Sequence, residues 1–295
     1  MDLIDAAKRN NIGRVRELLD RGADPNIIDG SYNNYTALIY ASQRGYRDIV
    51  NLLLDNGADI NITDDLGNTA LMRASRNNRT EIIRLLLDRG ADPNIRDDDG
   101  GTALISASIG DRRTDIVKML LDNDADPNIQ ENYDGETALM QASYYGNTEN
   151  VGLLLENDAD PNIQCHSGET SLIMASSRGY INIVKMLLDN GADPNIHMLN
   201  GETASMIAKR RGHNDVARLI RDHIRLQKAR QILAFATYLL GDDTRMDNLD
   251  YDVTARIADY LHDLDQYGSG SKRSRRSSSR TRRKRKNYTR QRSFF

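Results

Sequence analysis

The sequence predicts an all-α solenoid of about seven helix-turn-helix units with hairpin fingers, followed by C-terminal helices and a disordered tail. Two motifs that share one period carry this prediction. Gly22-Ala-Asp-Pro-Asn26 returns as Gly57-Ala-Asp-Ile-Asn61, Gly90-Ala-Asp-Pro-Asn94, Asp124-Ala-Asp-Pro-Asn128, Asp158-Ala-Asp-Pro-Asn162 and Gly191-Ala-Asp-Pro-Asn195, its third residue recurring at intervals of 35, 33, 34, 34 and 33. Thr36-Ala-Leu-Ile keeps step with it as Thr69-Ala-Leu-Met, Thr102-Ala-Leu-Ile, Thr137-Ala-Leu-Met, Thr170-Ser-Leu-Ile and Thr203-Ala-Ser-Met. A unit of this size cannot bury its apolar face alone, so a fixed period implies a row of modules with one shared interior.

Within a unit the order is helix, helix, finger. Thr36 is placed to accept the unpaired backbone donors at a helix start, and Ala37, Ala41 and Ser42 are small enough for close inner-helix packing. Asp48 is a second cap candidate, after which Ile49, Val50, Leu52, Leu53 and Leu54 cover one wide apolar face of an outer helix. Gly57 ends that helix in the left-handed conformation, and Pro after Asp24 keeps the chain extended there. Leu66-Gly-Asn, Asp99-Gly-Gly, Asp134-Gly-Glu, Ser167-Gly-Glu and Asn200-Gly-Glu are turn signals that close the fingers. The repeated Asn26, Asn61, Asn94, Asn128, Asn162 and Asn195 are expected to bond backbone within their own turns.

These residues resemble the ankyrin repeat family, whose unit runs from a D-G-x-T-P-L-H-x-A turn and helix to L-L-x-x-G-A-D-x-N. The resemblance covers Met1 to about Ile224. The chain departs from the family by placing Ala or Ser at the Pro position, and Ile39, Met72, Ile105, Met140, Ile173 and Met206 at the His position, which predicts a greasier interior. The first unit enters through polar Lys8, Arg9, Asn10 and Asn11, and the seventh, Thr203 to Leu219, never reaches another Gly-Ala-Asp; both are expected as caps. The expected organisation is an array at 1–224, C-terminal helices at 225–267 with a helix from His223 to Leu240, and a tail at 268–295.

Composition narrows the function classes. One cysteine, Cys165, forms no internal disulfide and suits a reducing, intracellular compartment. The run around Ile232 to Leu240 falls short of the ~20 apolar residues of a membrane span, and the acidic N-terminus lacks signal-peptide order. His166, His197, His213, His223 and His262 fall on different units without metal-ligand spacing, and no phosphate-binding glycine loop occurs, so neither catalysis nor a cofactor is expected. The net charge of −3 conceals two opposite halves: the tail from Lys272 to Arg292 holds 12 Lys and Arg with no acid, leaving 28 bases against 43 acids elsewhere, a balance of −15.

The family resemblance implies a monomeric binding module in which fingers and inner-helix ends offer a concave surface to another protein. On this sequence those positions include Arg44, Arg76, Tyr144, Tyr145, Arg178, Arg210 and Arg211. Aromatic and Arg side chains dominate interface energies, so Tyr144, Tyr145 and finger Tyr133 form the expected central anchor, with Tyr32 and Tyr35 as a second. Past the array, Leu249, Asp252, Val253, Ile257, Tyr260 and Leu261 resemble the opening of an F-box, within 249–264, although Asp250 stands where that motif has Pro. Shortened F-boxes end many ankyrin proteins of large DNA viruses; the resemblance implies such an origin and docking to a Skp-type adaptor of a cullin ubiquitin ligase, with a cap over the last repeat as the plainer reading. From Gly268 to Lys286 the tail has no apolar residues to bury, and Arg282, Arg283, Lys284, Arg285 and Lys286 suit recognition by an importin or sequence-independent nucleic-acid binding.

Overall fold

The computed structural model describes residues 2–30, 34–109 and 113–240, and these form helices with no strands. Seven helix pairs follow one another: α1 (Leu3–Lys8) and α2 (Ile12–Asp20), α3 (Ala37–Arg44) and α4 (Arg47–Asp55), α5 (Ala70–Arg76) and α6 (Thr80–Asp88), α7 (Ala103–Ser108) and α8 (Thr114–Leu121), α9 (Ala138–Tyr145) and α10 (Thr148–Glu156), α11 (Ser171–Arg178) and α12 (Ile181–Asp189), and α13 (Ala204–Arg211) with α14 (Asn214–Leu240). Each inner helix from α1 to α11 packs on its outer partner, and successive inner helices from α1 to α13 pack on one another, which gives units 1 to 7 a single continuous interior. The chain divides into two bodies, Met1–His223 and Ile224–Phe295, and the array is the first.

The threonine caps form as the sequence indicates. Thr36, Thr69, Thr102, Thr137 and Thr170 each accept from the amide three residues on, at 3.2–3.4 Å. Ala37, Ala41 and Ser42 are fully buried, as close helix packing demands. Outer helices begin differently. Asp48 does not cap α4; the cap position is Tyr46, whose side chain makes no capping bond, and Asp48 lies inside the first turn, where its charge meets the positive end of the helix dipole. A tight inverse γ-turn replaces the side-chain cap: Tyr46 has φ −82 and ψ 74, and the Arg47 amide donates to the Gly45 carbonyl at 3.0 Å. Asn147 and Tyr180 repeat that geometry before α10 and α12.

Ile49, Val50 and Leu53 are buried, as are Ile82, Ile83 and Leu86, and Ile116, Val117 and Leu120 in succeeding outer helices. Of the six residues at the family's His position, Ile39, Met72, Ile105, Met140 and Ile173 are buried, but Met206 is 56% exposed, because among the described residues no further unit follows α13 and α14 to cover it. The expected separate helix at His223–Leu240 is instead continuous with the last outer helix: α14 starts at Asn214, since Arg221-Asp-His-Ile224 offers no Gly-Ala-Asp break. Leu226, on that continuation, is 60% exposed.

The repeated asparagines overturn the expectation of bonds within their own turns. Asn26 Oδ1 accepts the amide of Asp59 at 2.7 Å, Asn61 that of Asp92 at 3.1 Å, Asn94 that of Asp126 at 2.7 Å, Asn128 that of Asp160 at 2.8 Å and Asn162 that of Asp193 at 2.7 Å. The same amide groups of Asn26, Asn94, Asn128 and Asn162 donate to the carbonyls of Gly57, Asp124, Asp158 and Gly191. The reason is that the local turn is already satisfied, by the aspartate two residues earlier: Asp24, Asp59, Asp92, Asp126, Asp160 and Asp193 each accept the amide of the asparagine itself. Asn195 has no loop ahead and turns back to Asp193 at 2.8 Å. Finger tips make a second ladder, Asp98 N to Leu66 O, Asn132 N to Asp99 O, His166 N to Asp134 O and Leu199 N to Ser167 O. Gly67 is required by it: φ is +73, and a Cβ there would approach the Asp98 nitrogen to 2.8 Å.

One outer helix is poorly built. In α10, Asn150 occupies the place of Ile82, Ile116 and Ile183, is buried, and its Oδ1 finds no hydrogen-bond partner among the described residues. Gly152 sits mid-helix where a methyl would make an ordinary 3.7 Å contact with Met186 Sδ. Asn150→Ile with Gly152→Ala is expected to raise stability by about 2 kcal/mol in urea unfolding, from relief of the unpaired amide and the helical glycine. Asn94→Ala, which removes two inter-unit bonds, is expected to cost about 1 kcal/mol, and Asn195→Ala less.

Candidate protein-binding surface

The last turn of α9 and the finger before it carry the exposed aromatic residues of unit 5. Thr137 starts α9, and Gly146 ends it in the left-handed conformation with φ +82, so that the chain turns sharply after two consecutive tyrosines. The turn is also tight against unit 6: a Cβ on Gly146 would meet the Tyr180 ring at 2.8 Å. Tyr144 and Tyr145 are 39% and 46% exposed, with ring centroids 5.2 Å apart at 86°, an edge-to-face pair. The Arg178 guanidinium, on the last turn of α11, lies 4.0 Å from the Tyr144 ring centroid. Tyr133 is 83% exposed at the finger tip.

Glu131 shapes that finger. Its carboxylate accepts the amides of Tyr133 at 2.6 Å, Asp134 at 2.7 Å and Glu136 at 3.0 Å. Burial works against its ionisation, but the amides of Glu136, Tyr133, Asp134 and Gly135 outweigh burial and hold the carboxyl below the usual range. His166, in the finger of unit 6, places Nδ1 3.1 Å from the Tyr133 carbonyl oxygen and its ring against Gly135. Glu136 behaves in the opposite way. Burial, with repulsion from Asp134, Glu131 and Glu169, pushes its carboxyl above the ordinary carboxylate range, against an opposing hydrogen bond from the Gln141 amide. Gln141, whose side-chain amide donates to this carboxylate, stands one turn before Tyr144 and Tyr145 on α9.

The other expected contact residues are distributed differently. Tyr35 is only 6% exposed, which removes it as a free anchor: the Tyr40 ring meets it edge-on at 4.7 Å and the Arg73 guanidinium lies 5.1 Å from its centre. Tyr32 lies outside the described residues. Arg76 is engaged by buried Asp97 at 2.6 Å, and Arg210 makes a two-pronged pair with Glu202 at 2.7 and 2.9 Å. Arg44 and Arg211 are exposed. The F-box-like residues Leu249, Asp252, Val253, Ile257, Tyr260 and Leu261, and the basic residues Arg282, Arg283, Lys284, Arg285 and Lys286, also lie outside the described residues. Glu136, Gln141, Glu169 and Tyr180 were not singled out in the sequence, because their significance comes from register: each must be compared with its equivalent one unit away.

Among the described residues no group of three or more His, Cys, Asp or Glu side chains is placed to hold a metal ion, and no helix is long and apolar enough to cross a membrane. Cys165 is a free thiol buried with Met140 and Met174, its sulfur 3.1 Å from the Ser167 hydroxyl.

A family model described as ankyrin repeats in three copies matches residues 3–97, 58–131, 104–198 and 172–244. Among solved structures, the crystal structure of the ankyrin repeat domain of Bcl-3, a unique member of the IkappaB protein family, matches with a TM-score of 0.66 and 29% identity, covering 74% of this chain and 98% of that one. No curated protein sequence matches the chain significantly.

A carboxyl whose folded pKa is raised favours the fold only when protonated and is a cost at neutral pH. Glu136→Gln is therefore expected to raise the thermal unfolding midpoint at pH 7. The gain should fade as the pH falls from the raised value of the folded chain to the ordinary glutamate range, below which Glu136 is neutral in both the folded and the unfolded chain.

Proposed function

The chain belongs to the ankyrin repeat family, and from that premise we propose that it is a non-catalytic interaction scaffold whose inner-helix and finger face holds a protein partner. The observation that carries this reading is the exposed edge-to-face pair of Tyr144 and Tyr145, steadied by Arg178, on the same unit as the projecting Tyr133. Rigid aromatic side chains beside an arginine offer large contact area at small entropic cost, the composition of interface hot spots. The likeness to the ankyrin domain of an IkappaB family member supports a recognition role and no particular partner.

The segment 249–264 adds a finer role, delivery of the bound protein to a cullin-type ubiquitin ligase through a Skp-type adaptor, in the manner of viral ankyrin proteins with shortened F-boxes. Its support is the spacing of Leu249, Asp252, Val253, Ile257, Tyr260 and Leu261. The second reading is a nuclear or nucleic-acid-associated protein, favoured by the 12 Lys and Arg between Lys272 and Arg292, for which the repeats are a scaffold.

Tyr144→Ala with Tyr145→Ala is expected to weaken an affinity-purified partner by about tenfold or more, as removal of a hot spot does. Unchanged capture would overturn the recognition face. Loss of a Skp-type adaptor in Leu249→Ala with Ile257→Ala, but not in the tyrosine variant, supports delivery. A steep salt dependence of DNA or RNA binding that disappears on removal of 268–295 supports the second reading instead.

A further inference from the structure

Resting on the reading of this face as a protein-recognition surface, we propose that its occupant is a basic segment of another protein, whose Arg or Lys side chain enters beside Glu136 and Glu169 against the Tyr144 and Tyr145 rings. In units 2 to 4 the finger acid is neutralised within the array: Asp29 by Lys8 at 3.3 Å, Asp64 by Arg73 and Asp97 by Arg76 at 2.6 Å. In unit 7 Arg210 neutralises Glu202. The backbone pairing of the fingers aligns Asp29, Asp64 and Asp97 with Glu131 of unit 5 and with Cys165 of unit 6, and aligns Glu202 of unit 7 with Glu136 and Glu169. Units 5 and 6 therefore keep Glu131, Glu136 and Glu169 and lack the cations. The place of Arg73 on the inner helix is taken by Gln141 and Met174, and the place of Arg76 and Arg210 by Tyr144 and Ser177. Among the described residues, none of the ion pairs involves Glu131, Asp134, Glu136 or Glu169.

The imbalance extends over both units. Residues 131–180 contain eight Asp and Glu and a single Lys or Arg, which is Arg178, already stacked on Tyr144. A surface of one sign focuses the field on an incoming opposite charge, and tyrosine rings add attraction for a guanidinium or ammonium group. Unit 3 shows how one cation can serve both kinds of group: the Arg73 guanidinium bonds Asp64 at 2.7 Å and faces the Tyr35 ring. The groups around Glu136 are Asp134, Glu131, Glu169 and neutral Gln141, none of which stabilises its charge as a cation does. A carboxylate retained at a cost to folding fits a residue kept for binding.

The test uses the full chain and three labelled peptides of equal length in which Leu alternates with Arg, with Gln or with Glu, followed by fluorescence anisotropy at low and at physiological salt. The Arg peptide is expected to bind about tenfold more tightly than the Gln peptide, with the difference shrinking as salt rises. Glu136→Gln with Glu169→Gln should remove most of that difference, as should Tyr144→Ala with Tyr145→Ala. Glu136→Gln alone should weaken the Arg peptide about threefold while raising the unfolding midpoint, a pair of opposite effects that a purely structural role does not produce. Absence of Arg-peptide binding, or binding that ignores the double Glu→Gln variant, overturns the proposal. Preference for the Glu peptide, lost on Arg178→Gln, overturns the charge assignment but leaves the recognition face standing. Indifference of all three peptides and of a captured partner to the tyrosine substitutions overturns the face as well.

Discussion

The array depends on a bond that each unit makes on behalf of the next. The asparagine that ends one loop places its side-chain amide against backbone of the loop that follows, so a unit satisfies its own turn with an aspartate and its neighbour's with an asparagine. Greasy burial between helices supplies most of the cohesion, but it is non-directional and tolerates sliding. The paired donor and acceptor of each rung do not. They set how far one helix pair is rotated against the next, and thereby where every inner-helix end and finger stands. The exposed tyrosines of unit 5 owe their position to that register rather than to any contact with one another.

Against this uniform frame, units 5 and 6 depart from their neighbours in two ways that concern the same region. Glu131, Glu136 and Glu169 lack the cations that neutralise Asp29, Asp64, Asp97 and Glu202 elsewhere. The outer helix of unit 5 carries a buried amide and a glycine where its counterparts have isoleucine and larger residues. Both departures lower stability, by repulsion in one case and by an unpaired polar atom in the other. Proteins concentrate such local inconsistencies where function opposes folding.

Most of the fold was legible because its signals are local. Threonine followed by Ala-Leu states a helix start within four residues, and Gly or Asp in Gly-Ala-Asp states its end, so seven pairs follow from reading one unit and counting. What was illegible required knowledge of a neighbour. Asn94 resembles a turn residue until the loop of Asp126 is set beside it, and Tyr35 resembles an exposed anchor until Arg73, a full unit later, covers its ring. Met206 was misplaced for the converse reason, the absence of a following unit among the described residues. Asp48 was misassigned because an inverse γ-turn after a left-handed glycine does the work of a side-chain cap and leaves no mark beyond the glycine itself. At the recognition face the tyrosines could be read directly, whereas the missing cations could not, since an absence is visible only once the units are aligned in space.

The asparagine rungs have an evolutionary corollary. The junctions at Asn26, Asn94, Asn128 and Asn162 present the same groups on both sides, so a copied unit inserted at one of them would find its forward and backward partners already in place. Such a chain can lengthen or shorten by whole modules without redesigning any junction. The terminal asparagine, folded back on Asp193, marks the one place where that grammar stops.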